Sequence, residues 1–312
     1  MFARILRFPA ESLGELLDER FRDWPKVAEA QGDVEICGRP KLVLRLAEPP
    51  IQWYSPLTPS DSLYGIRLAF SPLRQGDLPF IFALRGLRLL DLCDSGVGDD
   101  MFLGLLTGLP YLRSVDFGGT LVSDFALRDM PQLMSLRILR TLGRRVPVGD
   151  RGAIAVGTKM PRLVTLDLSK TDVGDEGVRG LTHLRLRFLN MLGTRVTDAG
   201  IASMAGMHSL RKLVLSFTKI SDASLYFIQA MTRLTLLMLD GTGVTDEGLS
   251  YILKLSSLTV LYLNGTHITE NATKWLAQMT RLRVLAVGQQ LSADSVEHLR
   301  RALPNCRISA LN

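Results

Sequence analysis

Eight acids recur at one place in a repeating frame along this 312-residue chain: Asp99, Asp124, Asp175, Asp198, Asp222, Asp246, Glu270 and Asp294. A ladder of carboxylates suggests calcium, which takes about six to eight oxygens converging on one ion. The frame argues against it, because one acid per rung of about 4.8 Å does not converge. Each acid instead stands where a helical stretch begins, usually after a hydroxyl residue, as in Thr197-Asp198, Ser221-Asp222 and Thr245-Asp246. Unpaired N–H groups and the positive end of the helix dipole lie there, so capping is the expected role and no metal is expected.

A second column carries hydroxyls: Thr120, Thr141, Thr171, Thr194, Thr218, Thr242 and Thr266, with Ser71 and Ser95. A nucleophile needs a base within hydrogen-bond reach, and the four histidines (His183, His208, His267, His298) all fall outside this column. Bonds to the turn backbone of neighbouring rungs are the expected role. His183 and His208 form no metal-binding pair, and Gly177, Gly200 and Gly248 are isolated glycines, not a phosphate loop. Cys37, Cys93 and Cys306 are odd in number and far apart, which fits a reducing, cytoplasmic compartment and no disulfide framework. No catalytic residue, cofactor or small-molecule substrate is expected.

The frame that places these columns repeats every 24 residues in the segments that open on Leu210, Leu234 and Leu258. Leu186 and Leu282 extend it, and upstream units open on Leu163, Leu133, Leu112, Leu87 and Leu63, which makes ten. Within a unit the apolar spacing changes from two to three: Leu213 and Leu215 alternate as in a strand, whereas Leu225, Ile228 and Met231 recur as one stripe of a helix. One such strand, turn and helix cannot exclude water alone, so the units must stack. Strands joined by helical crossovers run parallel, and ten of them at about 4.8 Å give a curved sheet roughly 45 Å along its arc. CRISAL, from Cys306, adds a last strand.

The units read LxxLxLxxTxVTDxGLxxLxxL and so resemble bacterial leucine-rich repeats, a form similar to the cysteine-containing repeats of F-box substrate receptors. The resemblance covers residues 63–312 and implies a horseshoe-shaped α/β solenoid, with parallel strands on the concave face and short helices on the convex one. It also implies a protein-interaction scaffold and not an enzyme. Residues 1–62 lack the repeat and are expected to form an α+β cap and linker. Residues 11–30 read as helix broken at Pro25, DVEICGRPKLVLRL reads as two strands around Gly38-Arg39-Pro40, and a Pro- and Ser-rich link follows. A helix over residues 8–24 that recruits a second protein is the alternative.

The outward positions of the strands pave the concave face, where ligand contacts are expected. One such column runs Arg67, Asp91, Asp116, Arg137, Asp167, Asn190, Val214, Met238, Tyr262; its neighbour carries Phe188, Lys212, Leu236, Val260 and Val284. With Leu192, the later units gather apolar residues on a face that solvent would otherwise wet, a composition typical of interfaces. The expected partner is a protein or a second copy of the chain, anchored on Phe188, Met238 and Tyr262, with Asp91, Asp116 and Asp167 selecting basic groups.

A basic cluster of Arg137, Arg140, Arg144, Arg145 and Arg151 marks the fourth unit, which is six residues longer than 24 when counted from Leu133 to Leu163. A net charge of +6 permits nucleic acid or an anionic surface there. No stacking aromatics interleave the arginines, so nucleic acid is the weaker expectation. MFARILRF is too interrupted by Arg4 and Arg7 for a signal core, and no run approaches the roughly 18 apolar residues of a membrane helix.

Overall fold

In each repeat the first leucine and the apolar residues three and five places on turn to the same side and lose their contact with water. Leu210, Leu213 and Leu215 are all 0% exposed, and the same positions are buried in unit after unit, which joins the units into one continuous core. The structure is a computed structural model and describes residues 4–7, 14–18, 26–30, 33–36, 41–46, 63–70, 73–141 and 144–310. Cys37, the Pro- and Ser-rich link and Ser71 lie outside these residues.

Five strands precede the repeats: β1 (Arg4–Arg7), β2 (Gly14–Asp18), β3 (Lys26–Glu29), β4 (Asp33–Ile36) and β5 (Leu42–Leu46). One short strand then opens each repeat: β6 (Leu63–Arg67), β7 (Leu89–Asp91), β8 (Ser114–Asp116), β9 (Ile138–Arg140), β10 (Thr165–Asp167), β11 (Phe188–Asn190), β12 (Lys212–Val214), β13 (Leu236–Met238), β14 (Val260–Tyr262), β15 (Val284–Val287) and β16 (Arg307–Ala310). Short helices cross back between them, among them α1 (Leu78–Ala83), α2 (Asp99–Gly108), α3 (Asp124–Asp129), α4 (Asp150–Lys159), α5 (Asp175–Arg179), α6 (Asp198–Ser203) and α7 (Asp222–Ile228). From β5 to β16 the strands pair in parallel, each with the next, inside a 14-stranded sheet that ends in β2 and β3.

The N-terminal segments differ from the expected helix. Residues 14–18 and 26–29 are antiparallel strands, and β5 pairs with both β2 and β6. The edge of β6 offers unpaired backbone groups, and a neighbouring segment satisfies them only by becoming a strand. Leu16, Leu42 and Leu44 bury fully against that edge. The two strands expected around Gly38-Arg39-Pro40 both form, but β4 pairs with β1 while β5 joins the main sheet.

The fourth repeat also differs from expectation. Pairing of Ser114 with Ile138 and of Asp116 with Arg140 shows that this unit opens on Leu136, three residues after Leu133. It begins 24 residues after Leu112 (136 − 112) and runs for 27 (163 − 136), a three-residue insertion. Leu133, Leu136 and Leu139 are equally spaced and all buried, so the spacing alone fits either frame. Arg140, not Arg137, therefore stands on the concave face. Thr141 leaves the hydroxyl column for a core position with 0% exposure, donating to the Ser169 carbonyl oxygen at 3.0 Å.

The remaining hydroxyls bond within their own turn, not to neighbouring rungs: Thr120, Thr171 and Thr194 each donate to the carbonyl three residues back, at 2.6–2.8 Å. The acids link the rungs instead. Asp175 accepts the N–H and the hydroxyl of Thr197 at 2.8 and 2.7 Å, and Asp222 accepts those of Thr245 at 2.8 and 2.6 Å. Each hydroxyl caps its own helix, as Thr197 and Ser221 do, while each carboxylate reaches the start of the next one. Asp150, displaced from the expected acidic column by the residues inserted ahead of it, belongs to it and accepts the N–H groups of Gly174 and Gly177.

This reach also explains the glycine two residues after the acid. A Cβ on Gly200 would lie 2.4 Å from Oδ1 of Asp175, and one on Gly248 2.2 Å from Oδ1 of Asp222. Where Ser224 replaces that glycine, its hydroxyl donates to Asp198 at 2.5 Å and turns the clash into a bond.

Candidate concave binding face

Parallel pairing in register places Phe188, Lys212, Leu236, Val260 and Val284 in one row across β11 to β15. A second row runs Asn190, Val214, Met238, Tyr262 and Ala286. Phe188, Leu236, Met238, Val260, Tyr262 and Val284 are half-buried, as is Leu192 just beyond β11. Val214 is 6% and Ala286 3% exposed, so both serve as floor. Leu236, Met238, Val260 and Tyr262 are adjacent on β13 and β14, whereas exposed Lys212 on β12 stands between them and Phe188.

The first half of the face is polar and self-satisfied. Arg67 donates through Nε to Asp91 at 2.9 Å. Asp91, Asp116 and Asp167 each accept the backbone N–H two residues on, from Cys93, Gly118 and Ser169 at 3.1, 3.1 and 2.9 Å. Asn190 does the same with Leu192 and donates to Asp167 at 3.0 Å. These turns draw the carboxylates down beside the backbone, leaving the three aspartates 8%, 8% and 5% exposed. They have little surface left with which to select a basic ligand.

Burial pushes the Asp116 carboxyl up to about 7; Asp91 and Asp167 push the same way, while the Gly118 N–H and Arg140 oppose them. Burial, together with Asp116, Asp91 and Asp94, pushes the Cys93 thiol up to about 12. Ligand atoms of Asp91, Cys93 and Asp116 lie within 4.8 Å of one another. One of the three, Asp91, is already ion-paired to Arg67. The arrangement is a polar floor under the face.

The arginines of the fourth unit do not form one patch. Arg137 stands before β9 and Arg140 within it; Arg144 and Arg145 follow it, and Arg151 lies in α4. Arg144 reaches Asp94 at 3.4 Å and lies 5.8 Å from the Phe70 ring centroid.

Sequence reasoning missed the turn that follows each strand. There the backbone takes positive φ, with glycine in several units (Gly119, Gly193, Gly241, Gly265) but Phe70 at 62° and Phe217 at 59°. A large side chain is strained in this region. Phe217 is 63% exposed, and its ring fills the space a Cβ on Gly241 would need, 2.6 Å away. A ladder of Ser216, Asp240 and Asn264 beside that turn also went unread: Ser216 Oγ donates to Asp240 at 3.1 Å and Asn264 Nδ2 at 2.7 Å.

Residues 160–182, which span the α4–β10–α5 connection, match a family model described as a leucine-rich repeat. The chain is a leucine-rich-repeat solenoid. Its likeness to solved structures is one of fold. A leucine-rich-repeat protein of Leptospira interrogans superposes with a TM-score of 0.56 at 19% identity, over 80% of this chain and 61% of that one. The repeat chain thus spans less than two thirds of that relative's length. An internalin of Listeria monocytogenes (inlF) gives 0.53 at 17% identity, over 86% and 85% of the two chains. Internalin C2 of the same organism gives 0.50 at 21% identity, over 69% and 84%. No curated protein matches the chain. Among the described residues of this solenoid, no helix is long and apolar enough to cross a membrane.

Proposed function

We propose that this chain is a non-enzymatic scaffold that holds a protein partner on the concave face of its later repeats. The observation that carries the reading is the in-register block of half-buried Leu236, Met238, Val260 and Tyr262 on β13 and β14, with Phe188 in the same row beyond Lys212. The inward leucines of these strands are all 0% exposed, whereas the outward apolar residues keep part of their surface open on the face, where it favours a contact outside the core. Aromatic and methionine anchors on a rigid sheet are the usual centre of an interface. The repeat fold and the solved repeat proteins that share it support protein binding as the role of such a surface.

The test is the Met238→Asp/Tyr262→Asp double variant, used as bait beside the native chain in extracts of the native host. The variant should melt within a few degrees of the native chain and lose the protein that the native chain recovers. Equal recovery by both chains would refute the assignment to this face.

A further inference from the structure

The residue ahead of each strand's first facing position forms a column of its own, at the edge where the strands begin. Backbone bonds join the column: Arg113 N–H donates to the Arg88 carbonyl at 2.7 Å, Arg137 to Arg113 at 2.8 Å, and Arg211 to Arg187 at 2.8 Å. Arg88, Arg113, Arg137, Arg187, Arg211 and Arg283 all stand in this column, and the corrected frame of the fourth repeat is what brings Arg137 into line. Two residues earlier, on the same edge, come Arg162, Arg185, Arg233 and Arg281. All of these are exposed except Arg88, which is half-buried. Neither column contains an acid, and among the described residues none of these guanidiniums has a carboxylate within 4.0 Å. Most acids of the repeats stand at the helix starts or in the strands under the concave face, with Asp129 at the end of α3 paired to Arg128.

We infer that this edge is a docking surface for an anionic phospholipid bilayer, separate from the concave face. The array runs from Arg88 to Arg283, about 40 Å of arc at one rung per 4.8 Å. That is longer than the roughly 30 Å across one side of a standard protein interface, about 800 Å². Single-stranded nucleic acid needs free rings on which bases stack. Only two rings stand in these columns among the described residues, Tyr64 and Tyr111, each with one cation over it, which is too few for a run of stacked bases.

A bilayer needs only cations in a row and a few amphipathic side chains between them. Tyr111 and Met134, 55% and 45% exposed, supply the latter on the same edge. An open cleft of about 530 Å³, lined by His183, Arg185, His208 and Arg233 among others, gives a headgroup phosphate a place to sit.

The test uses the full chain and cosedimentation with phosphatidylcholine vesicles, with and without phosphatidylserine. One variant carries Arg113→Glu/Arg187→Glu/Arg211→Glu; a control of equal charge change carries Lys170→Glu/Arg195→Glu/Lys219→Glu on the opposite edge. Each arginine near an anionic surface is worth about fivefold in binding, so the first variant should lose about a hundredfold or more. The control should keep most of its binding, and wild-type binding should fall as salt rises. Equal loss in both variants, or no wild-type preference for phosphatidylserine, would overturn the proposal. Retention of duplex DNA or RNA at salt concentrations that release the vesicles would assign the edge to nucleic acid instead.

Discussion

Asp198 receives the backbone N–H of Ser221 at 2.8 Å and its hydroxyl at 2.6 Å, so a carboxylate in one repeat fixes the first turn of the helix in the next. Asp198→Ala removes these bonds and those from Ser224, and is expected to cost about 2–3 kcal/mol in chemical denaturation. Burial raises the Asp198 pKa, but the bonds from Ser221 and Ser224 outweigh it and hold the group below the ordinary carboxylate range. Its contribution is present above the unfolded value of about 3.9 and fades as pH falls through the lower folded value. Urea melts of wild type and variant should therefore converge below about pH 4; a constant gap would refute this account.

The same geometry predicts that Gly200→Ala destabilises the chain even though alanine is the better helix former by about 1 kcal/mol. The added methyl displaces Asp175 from Thr197. Gly200→Ser should be the milder change, because Ser224 already shows a hydroxyl in that place bonding the preceding aspartate. Thermal melting of the pair decides it, and the reverse order would show that crowding of Asp175 is not what excludes a side chain.

Asp116 sets a dependence of the opposite sign. With its folded pKa raised to about 7, stability is fully present below the unfolded value and is lost as pH rises from about 4 to about 7. Asp116→Asn removes that slope and should be the more stable protein at pH 8, by up to a few kcal/mol. Asn190 already fills the same column with an amide in the same bond. Denaturation at pH 5 and pH 8 gives the comparison, and a variant with an unchanged slope would rule Asp116 out as its source.

Phe217 sits at φ 59° where neighbouring units use glycine. Phe217→Gly should leave the chain at least as stable, gaining up to about 1 kcal/mol once backbone strain is set against glycine's greater freedom when unfolded. A loss of more than that on melting would mean the exposed ring contributes packing that its contact with Gly241 does not account for.

Removal of residues 1–62 takes away β5 and bares the edge of β6, with Leu63 and Ile66 behind it. The truncated chain is expected to associate in light scattering at concentrations where the full chain does not. A monomeric truncated chain with an unchanged melt would return residues 1–62 to the role of a recruiting segment.

The stack was legible because inward leucines are dictated by burial, and burial repeats with the unit: Leu213, Leu237 and Leu261 could not move without exposing the core. The register at Leu133 was not, since evenly spaced buried leucines satisfy both frames and only strand pairing separates them. The helical reading of residues 14–18 failed for a related reason. GELLD has a buried pair compatible with either state, and the open edge of the sheet chose the strand. The apolar residues of the concave face could be placed from alternation alone. The withdrawal of Asp91, Asp116 and Asp167 could not, because it depends on a turn that brings an N–H back to each carboxylate. The positive φ at Phe70 and Phe217 left no trace in residue type, as phenylalanine gives no hint of that conformation.

The carboxylate ladder is directional. Asp175, Asp198, Asp222 and Asp246 each precede by 22–23 residues the N–H they satisfy at the next helix start. A ribosome therefore releases each acceptor before its donors, and a growing chain always presents a finished template to the repeat that follows. Insertion or loss of a whole repeat keeps every acceptor matched to a helix, and the three extra residues of the fourth repeat keep the match as well, because Asp124 still receives the N–H of Gly149 and Asp150 still receives that of Gly174.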